Sequence, residues 1–383
     1  MNKDETVLSF RVLKRDEIFD NVTFEIVKTE REEMLPIGFT GINAWLKNRK
    51  ASAHSTRMRA LMIRLGCENN EDYIRKTRAA SINDTFWVKS DDDNVDWNDV
   101  SLYSNPFDGC ISQLAFEGKC ICSEVSSAMS PELSCEGSYG KRFLRIRNGK
   151  GDEEIHLCKR GGHSGNGFEP YCEVMASEIA RHISPDAVSY RFKVLSDTLA
   201  SRCRLFTDEK NGFAPFRKIK ETADIDAFDY FYEIGSEQAF REMLVIDSLC
   251  FNEDRHSGNY GVLFDNDTLK VIKMSPVFDL NASLFSNIST EDFANIGEIL
   301  CGRQPKLGED FTRMGQTAIN DIIRDRIKDM KDFSFSFRGD DVFPEKRVKA
   351  IEEVVRRQAA AILSQDKLYT KNVFFTIVDC KPV

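Results

Sequence analysis

A strongly apolar run, Ser236 to Phe251, leads without a break into eight polar or small residues, Asn252-Glu253-Asp254-Arg255-His256-Ser257-Gly258-Asn259. Two short β-forming runs follow, Tyr260 to Phe264 and Leu269 to Lys273, and then Pro276-Val277-Phe278-Asp279. The apolar run carries Phe240, Met243, Leu244 and Leu249 and predicts a buried helix. A polar loop leaving the end of such a helix and passing into a hairpin is held on rigid supports. Asp254, Asn259 five residues later, and Asp279 across the hairpin are the chemistry that this order presents.

Phosphoryl transfer from a nucleotide asks for a carboxylate near the acceptor hydroxyl and for hard oxygen ligands that hold Mg2+ against the phosphates. Asp254 suits the first task; Asn259 and Asp279 suit the second. Asp and Asn in loops also commonly satisfy backbone groups, so the D-x4-N spacing alone decides nothing. The upstream half supplies the rest. Ser134-Cys135-Glu136-Gly137-Ser138-Tyr139-Gly140-Lys141 is a small-residue turn before a strand, where backbone amides approach phosphates. Lys159 ends the next predicted strand and could neutralise phosphate charge. Glu173, early in the following predicted helix, could hold that lysine by an ion pair. Each of these residues taken singly reads as a surface group; their order is specific.

The elements around them form a pattern. Val7 to Leu13 and Val22 to Val27 read as strands and Ile42 to Arg78 as helices, with Gly66 placed to end the one striped by Trp45, Met58, Leu61, Met62 and Leu65. Turn chemistry at Asp91 to Asn94 and at Asn105-Pro106 predicts a linker through residues 90–133. Phe143 to Ile146 and Ile155 to Lys159 read as paired strands, and Pro170 opens a helix that Ser184-Pro185 closes. Pro344 to Leu363 is the last large helix, striped by Val348, Ile351, Val355 and Ile362. The expected fold is α+β and two-lobed, with a β-rich N-lobe, a helical C-lobe and an extra N-terminal α/β segment. The expected division is an accessory region over residues 1–132, an N-lobe with the phosphate loop over 133–206, and a helical C-lobe over 207–383.

At these residues the sequence resembles the HipA-like serine/threonine kinases, bacterial relatives of the protein kinase and phosphatidylinositol kinase folds. The family's N-x-D-x-H-x-x-N loop is matched by Asn252, Asp254, His256 and Asn259, and its P-x-x-D segment by Pro276 and Asp279. Its S-x-x-G-x-x-x-K phosphate loop is matched by Ser134, Gly137 and Lys141. At its N-E-x6-A helix start the chain keeps Glu173 and Ala180 but has Cys172 for the Asn. The resemblance covers roughly Leu133 to Leu363, and the first 130 residues do not look like the short β subdomain of the family's toxin members. It implies ATP and Mg2+ as cofactors and Asp254 as base or hydroxyl-orienting group. Lys159 would contact phosphate and Glu173 would position it, with Asn259 and Asp279 on the metal and adenine held near Cys203 to Phe206. It also implies self-phosphorylation at Ser134. His256 orders the loop by hydrogen bonds, since Asp254 already occupies the base position. A second His-Ser-Gly-Asn, at His163 to Asn166, has Gly161 where the first has Asp254, and so lacks a base.

Composition narrows the partners. The 383 residues carry 53 Lys and Arg against 62 Asp and Glu, a net charge of −9 that argues against a surface devoted to nucleic acid or anionic lipid. Asn43 to Arg78 is the exception, with nine basic against three acidic residues. It is read as a solvated helical face, with an acidic or nucleic-acid partner as the alternative. No apolar run approaches a transmembrane length, and Lys3, Asp4 and Glu5 open the chain without a signal-like apolar stretch. A cytoplasmic protein with no membrane partner is expected. The 11 cysteines are scattered, and Cys120 and Cys122 are too close for a C-x2-C zinc pair, so reduced thiols are expected. Three functions follow: transfer to a Ser or Thr of a protein substrate, transfer to a lipid or small-molecule hydroxyl, or an idle nucleotide-sensing or DNA-associated regulator. The acidic net charge and the absence of a basic amphipathic membrane helix weigh against a lipid substrate, and the intact Lys, Glu, Asp, Asn, Asp set argues against idleness.

Overall fold

The computed structural model describes residues 1–16, 21–50, 56–67, 69–118, 125, 128–135, 137, 139–162 and 165–364. Cys120, Cys122, His163 and Ser164 lie outside the described residues. The chain divides into two compact units. The first comprises Met1–Lys159, Arg204–Asp224 and Val262–Ile272; the second comprises Arg160–Cys203, Ile225–Gly261 and Lys273–Val383.

In chain order the first unit contributes β1 (Leu8–Asp16), β2 (Asn21–Thr29), α1 (Ile42–Lys47), α2 (Thr56–Arg64), α3 (Asn70–Thr77), α4 (Trp97–Val100), α5 (Gly109–Glu117), β3 (Lys141–Arg147) and β4 (Glu153–Arg160). The second then contributes α6 (Glu169–Ile183), β5 (Tyr190–Leu195) and β6 (Thr198–Arg204). The chain returns to the first unit with β7 (Asn211–Pro215) and α7 (Phe216–Lys220), and to the second with α8 (Ala227–Glu233) and α9 (Glu237–Cys250). The strands β8 (Gly261–Asp265) and β9 (Val271–Met274) complete a three-stranded sheet in the order β7-β8-β9. The second unit ends with α10 (Ile296–Cys301), α11 (Phe311–Ala318), α12 (Asp321–Lys328) and α13 (Glu345–Leu363).

In the first unit β1 and β2 form an antiparallel hairpin whose Phe10 and Phe24 rings meet edge to face at 5.5 Å. Phe24 shares a core with Ile42, Leu46 and Ile74 of α1 and α3. Asn43 clamps the outer edge of β2, accepting from Phe24 N at 2.8 Å and donating to Phe24 O at 2.7 Å. The described residues between 90 and 133 are packed structure rather than a linker. Asp96 and Asp108 accept from backbone N–H groups at the starts of α4 and α5. Trp97, Val100 and Leu102 pack with Phe143, while Ile111 and Leu114 pack with Leu61, Leu65 and Leu133. Asp96 and Asp108, close to the residues read as turn formers, are helix N-caps, which use the same side-chain-to-backbone bond. Much of the basic charge between Asn43 and Arg78 is engaged within this unit: Arg49 with Asp84, Arg75 with Glu71, and Arg78 with Asp93.

In the second unit α9 is buried on nearly every side and packs against α6, α11 and α13. Gly315 in α11 permits the close approach, because a Cβ there would lie 2.6 Å from Ser248 Oγ and 2.7 Å from Ile362 Cδ1. Ser196 and Asp197, both at positive φ, turn β5 back into β6. Cys67, Cys110, Cys135, Cys158, Cys172, Cys203 and Cys250 carry thiols outside any disulfide. Among the described residues no helix is long and apolar enough to cross a membrane.

Candidate active site

The predicted site residues fall into two groups. Ser134, Gly137, Lys141 and Lys159 belong to the first unit; Glu173, Asp254, Asn259 and Asp279 belong to the second.

In the second unit α9 ends at Phe251, which adopts a left-handed conformation (φ 53°) and donates its N–H to Asp247 O. The loop from Asn252 to Asn259 is then tied back on itself. Asn252 Nδ2 donates to Asp247 Oδ1 at 2.8 Å, and Asn252 Oδ1 accepts from Asp254 N at 3.1 Å. His256 Nδ1 accepts from Gly258 N at 3.0 Å, so the imidazole orders the loop. Asn259 Nδ2 donates to Asp254 O at 3.1 Å, leaving Oδ1 as the amide atom suited to a cation.

Arg255 is the pin of this loop. Its side chain is 1% exposed, and it forks onto the buried Asp247 carboxylate with Nε at 2.8 Å and Nη2 at 2.9 Å. Its Nη1 donates to Asn259 O and to Phe278 O, each at 2.7 Å. One guanidinium thus joins α9, the loop and the irregular segment after β9 that carries Asp279. Burial works against its charge, but Asp247 outweighs that, with Asp279 and Tyr190 adding, and its pKa is raised. From sequence alone Arg255 reads equally as a ligand for a phosphorylated loop or as a solvated residue, and Asp247 goes unnoticed; the structure buries both. A lone acid inside the apolar stretch Leu244-Val245-Ile246-Asp247-Ser248-Leu249 was the available signal.

Asp279 follows Phe278 in a left-handed conformation (φ 57°), and its N–H donates to Tyr190 Oη at 3.2 Å. The Asp254 carboxylate is 47% exposed, and its Oδ1 accepts from Lys306 Nζ at 2.5 Å. Glu173 is fully buried in α6, where Ser201 Oγ donates to its carboxylate.

In the first unit the expected phosphate loop follows a 3-10 turn, Pro131–Leu133. Glu132, another residue the sequence reading missed, is buried and accepts from Ser112 Oγ at 2.8 Å, Phe143 N at 2.9 Å and Ser130 Oγ at 2.6 Å. It ties the turn to α5 and to the start of β3. Ser134 is nearly buried, and its hydroxyl donates to Pro131 O at 3.3 Å. Gly137 has φ +98°, and a Cβ there would lie 2.9 Å from Lys141 Nζ, so this lysine folds back over the turn. Across the antiparallel β3–β4 pair Lys141 stands opposite Lys159. Directly opposed residues share one face of the sheet, and the Lys141 ammonium beside the glycine turn is suited to phosphate oxygens.

No protein-family model matches the chain, and no curated protein matches its sequence. Solved structures do match. HipA of Shewanella oneidensis MR-1, from the complex of the toxin–antitoxin proteins HipA and HipB with operator DNA, has a TM-score of 0.50 at 12% identity, over 94% of this chain and 96% of that one. The Helicobacter pylori proinflammatory kinase CtkA has a TM-score of 0.41 at 15% identity, over 58% of this chain and 91% of that one. The chain has a HipA-like kinase fold of the α+β class. The likeness to HipA, over 94% of the chain, extends beyond Leu133 to Leu363, where the motifs lie, and takes in most of the N-terminal region.

Proposed function

We propose that this chain is an ATP- and Mg2+-dependent serine/threonine protein kinase of HipA-like type, acting in the cytoplasm. The observation that carries the reading is Arg255, which fastens the loop of Asp254 and Asn259 and the backbone before Asp279 to one buried carboxylate. Such a clamp holds the base and both metal ligands in fixed relation, and phosphoryl transfer depends on positioning more than on covalent chemistry.

Asn259 Oδ1 and the Asp279 carboxylate are the donors that would hold Mg2+. Among the described residues no cluster of three or more His, Cys, Asp or Glu could hold a metal. A sparse set of hard oxygens suits a cation shared with substrate phosphates. Bound there, Mg2+ neutralises phosphate charge. Asp254 receives the proton of the acceptor hydroxyl as that oxygen attacks the γ-phosphorus. Lys141 and Lys159 contact phosphate oxygens, the Gly137 turn offers backbone amides, and Glu173 is assigned the positioning of Lys159. In this reading residues 1–132 are accessory, 133–206 handle phosphate, and 207–383 supply the catalytic and metal-binding loops. An acidic or nucleic-acid partner at Asn43 to Arg78 would draw on fewer charges than the count suggests, since Arg49, Arg75 and Arg78 are engaged internally.

The test is incubation with labelled ATP and Mg2+ in the presence of protein, lipid and nucleoside acceptors, with Asp254→Asn and Asp279→Ala as controls. Label on protein Ser or Thr, abolished in both variants, is expected. Label only on lipid or small molecules would move the reading to that acceptor class, and no label anywhere would leave an idle regulator.

A further inference from the structure

Lys306 reaches Asp254 from 52 residues downstream. The segment that carries it is fastened on both sides. Arg303 is largely buried; it donates to Glu253 Oε2, and its Nη2 donates to Asn287 Oδ1 at 2.8 Å. Its guanidinium carbon lies 5.4 Å from the centre of the Phe285 ring. Pro305 and Leu307, on either side of Lys306, are buried. The tether is thereby locked to the residue next to Asp254, and Lys306 projects from it onto the carboxylate. Both side chains are about half exposed, at 46% and 47%. An ion pair that wet contributes little to stability, so folding does not account for an ammonium placed at this oxygen.

We propose that Lys306 is a catalytic residue of the transfer reaction: it holds the Asp254 carboxylate toward the acceptor and contacts non-bridging oxygens of the phosphoryl group in flight. The inference rests on the kinase reading above. In the step, a bond forms between the acceptor oxygen and the γ-phosphorus while the bond from that phosphorus to the bridging oxygen of ADP breaks. The electron pair leaves with ADP, and the hydroxyl proton passes to Asp254. Lys306 keeps its protons. An acceptor oxygen hydrogen-bonded to Asp254 sits about 2.7 Å from the carboxylate and about 3–3.5 Å from the phosphorus it attacks. An ammonium already bonded to the same carboxylate reaches the phosphoryl oxygens by rotation of a flexible four-carbon stem. Charge develops there in the transition state, where a cation is most effective.

Lys306→Met and Lys306→Arg test this in the full chain. The Met variant should lose about 10²-fold in kcat, the scale of one lost transition-state donor, while binding a non-hydrolysable ATP analogue within about twofold of wild type. Its affinity for MgADP with aluminium fluoride, a mimic of the phosphoryl group in flight, should fall by a similar factor as kcat. The Arg variant should recover part of both. In an Asp254→Asn background the Met substitution should cost far less than in the wild type, because the two side chains act as a unit. Wild-type kcat in the Met variant, or ATP-analogue affinity lost in proportion to kcat, would overturn the inference and leave the kinase reading standing. A wild-type protein that transfers no phosphoryl group overturns the kinase reading, and this inference with it.

Discussion

Lys141 and Lys159 face each other directly across the β3–β4 pair, and Lys141 Nζ lies 2.9 Å from the position a Cβ would take on Gly137. Like charges in opposed positions of a sheet are unfavourable in themselves. In the proposed function a polyanion bound at these lysines would offset that cost.

Lys159→Met should therefore lower the affinity for ATP or for inorganic triphosphate by about tenfold or more, the loss expected for a charge-assisted hydrogen bond. The remaining affinity should depend less on salt than that of the wild type, because one screened attraction has gone. Calorimetry at two ionic strengths reads both effects. An unchanged affinity would remove Lys159 from the phosphate site.

Arg255 leads to a second expectation. Replacing it by Met strands the Asp247 carboxylate inside α9 and leaves Asn259 O and Phe278 O without their donor. Breaking a buried ion pair from one side costs about 3–5 kcal/mol, so urea denaturation should show a loss of that size. The double variant Arg255→Met, Asp247→Leu should recover a substantial part, since neither charge is then stranded. A loss under about 1 kcal/mol in the single variant would mean that the pair is not the pin of the loop.

These two sites mark what could be read from sequence and what could not. The loop from Asn252 to Asn259 was legible because its supports are local: an apolar helix before it, strand-forming residues after it, and oxygen-bearing side chains at short spacing. Arg255 was not legible, because its role depends on a partner eight residues back, set among the apolar residues Leu244, Val245, Ile246 and Leu249 of α9. Lys306 lay further out of reach, 52 residues from the carboxylate it contacts. Residues 90–133 misled for a different reason. Asp96 and Asp108 cap helices with the bond that Asp also uses in turns, so only the burial of Trp97, Ile111 and Phe116 separates packed structure from linker. Lys141 and Lys159 could each be suspected from sequence, but their opposition needs the strand register.

Glu132 supplies a pH-dependent expectation. Burial raises its pKa above the ordinary value of 4.5, against the opposing effect of the donors Phe143 N, Ser130 and Ser112. The folded state then holds this proton more tightly than the unfolded one, so the group's contribution to stability falls as pH rises from about 4.5 through the folded value, and is level above it. Glu132→Gln keeps an oxygen for Phe143 N and never ionises. Its stability relative to wild type should rise with pH across that window and then plateau. Denaturation midpoints of the two proteins at several pH values give the slope, and a slope of the opposite sign refutes the assignment.

Ser134 carries the last expectation, a switch built into the phosphate loop. Its hydroxyl lies nearly buried against Pro131 O, and the turn that holds it leads into Gly137 and Lys141. A phosphoryl group at Ser134 would add about −1.5 to −2 charge within that turn. The bond to Pro131 O cannot persist with the oxygen esterified, so the turn must open, and the new phosphate competes with nucleotide for Lys141. Self-phosphorylation should therefore lower nucleotide affinity and switch transfer off. Mass spectrometry after incubation with ATP and Mg2+ should find phosphate on Ser134 in the wild type and none in Asp254→Asn, and the modified fraction should bind an ATP analogue more weakly in calorimetry. Ser134 left unmodified in an enzyme that phosphorylates other proteins would reduce this residue to a turn former whose hydroxyl satisfies one carbonyl.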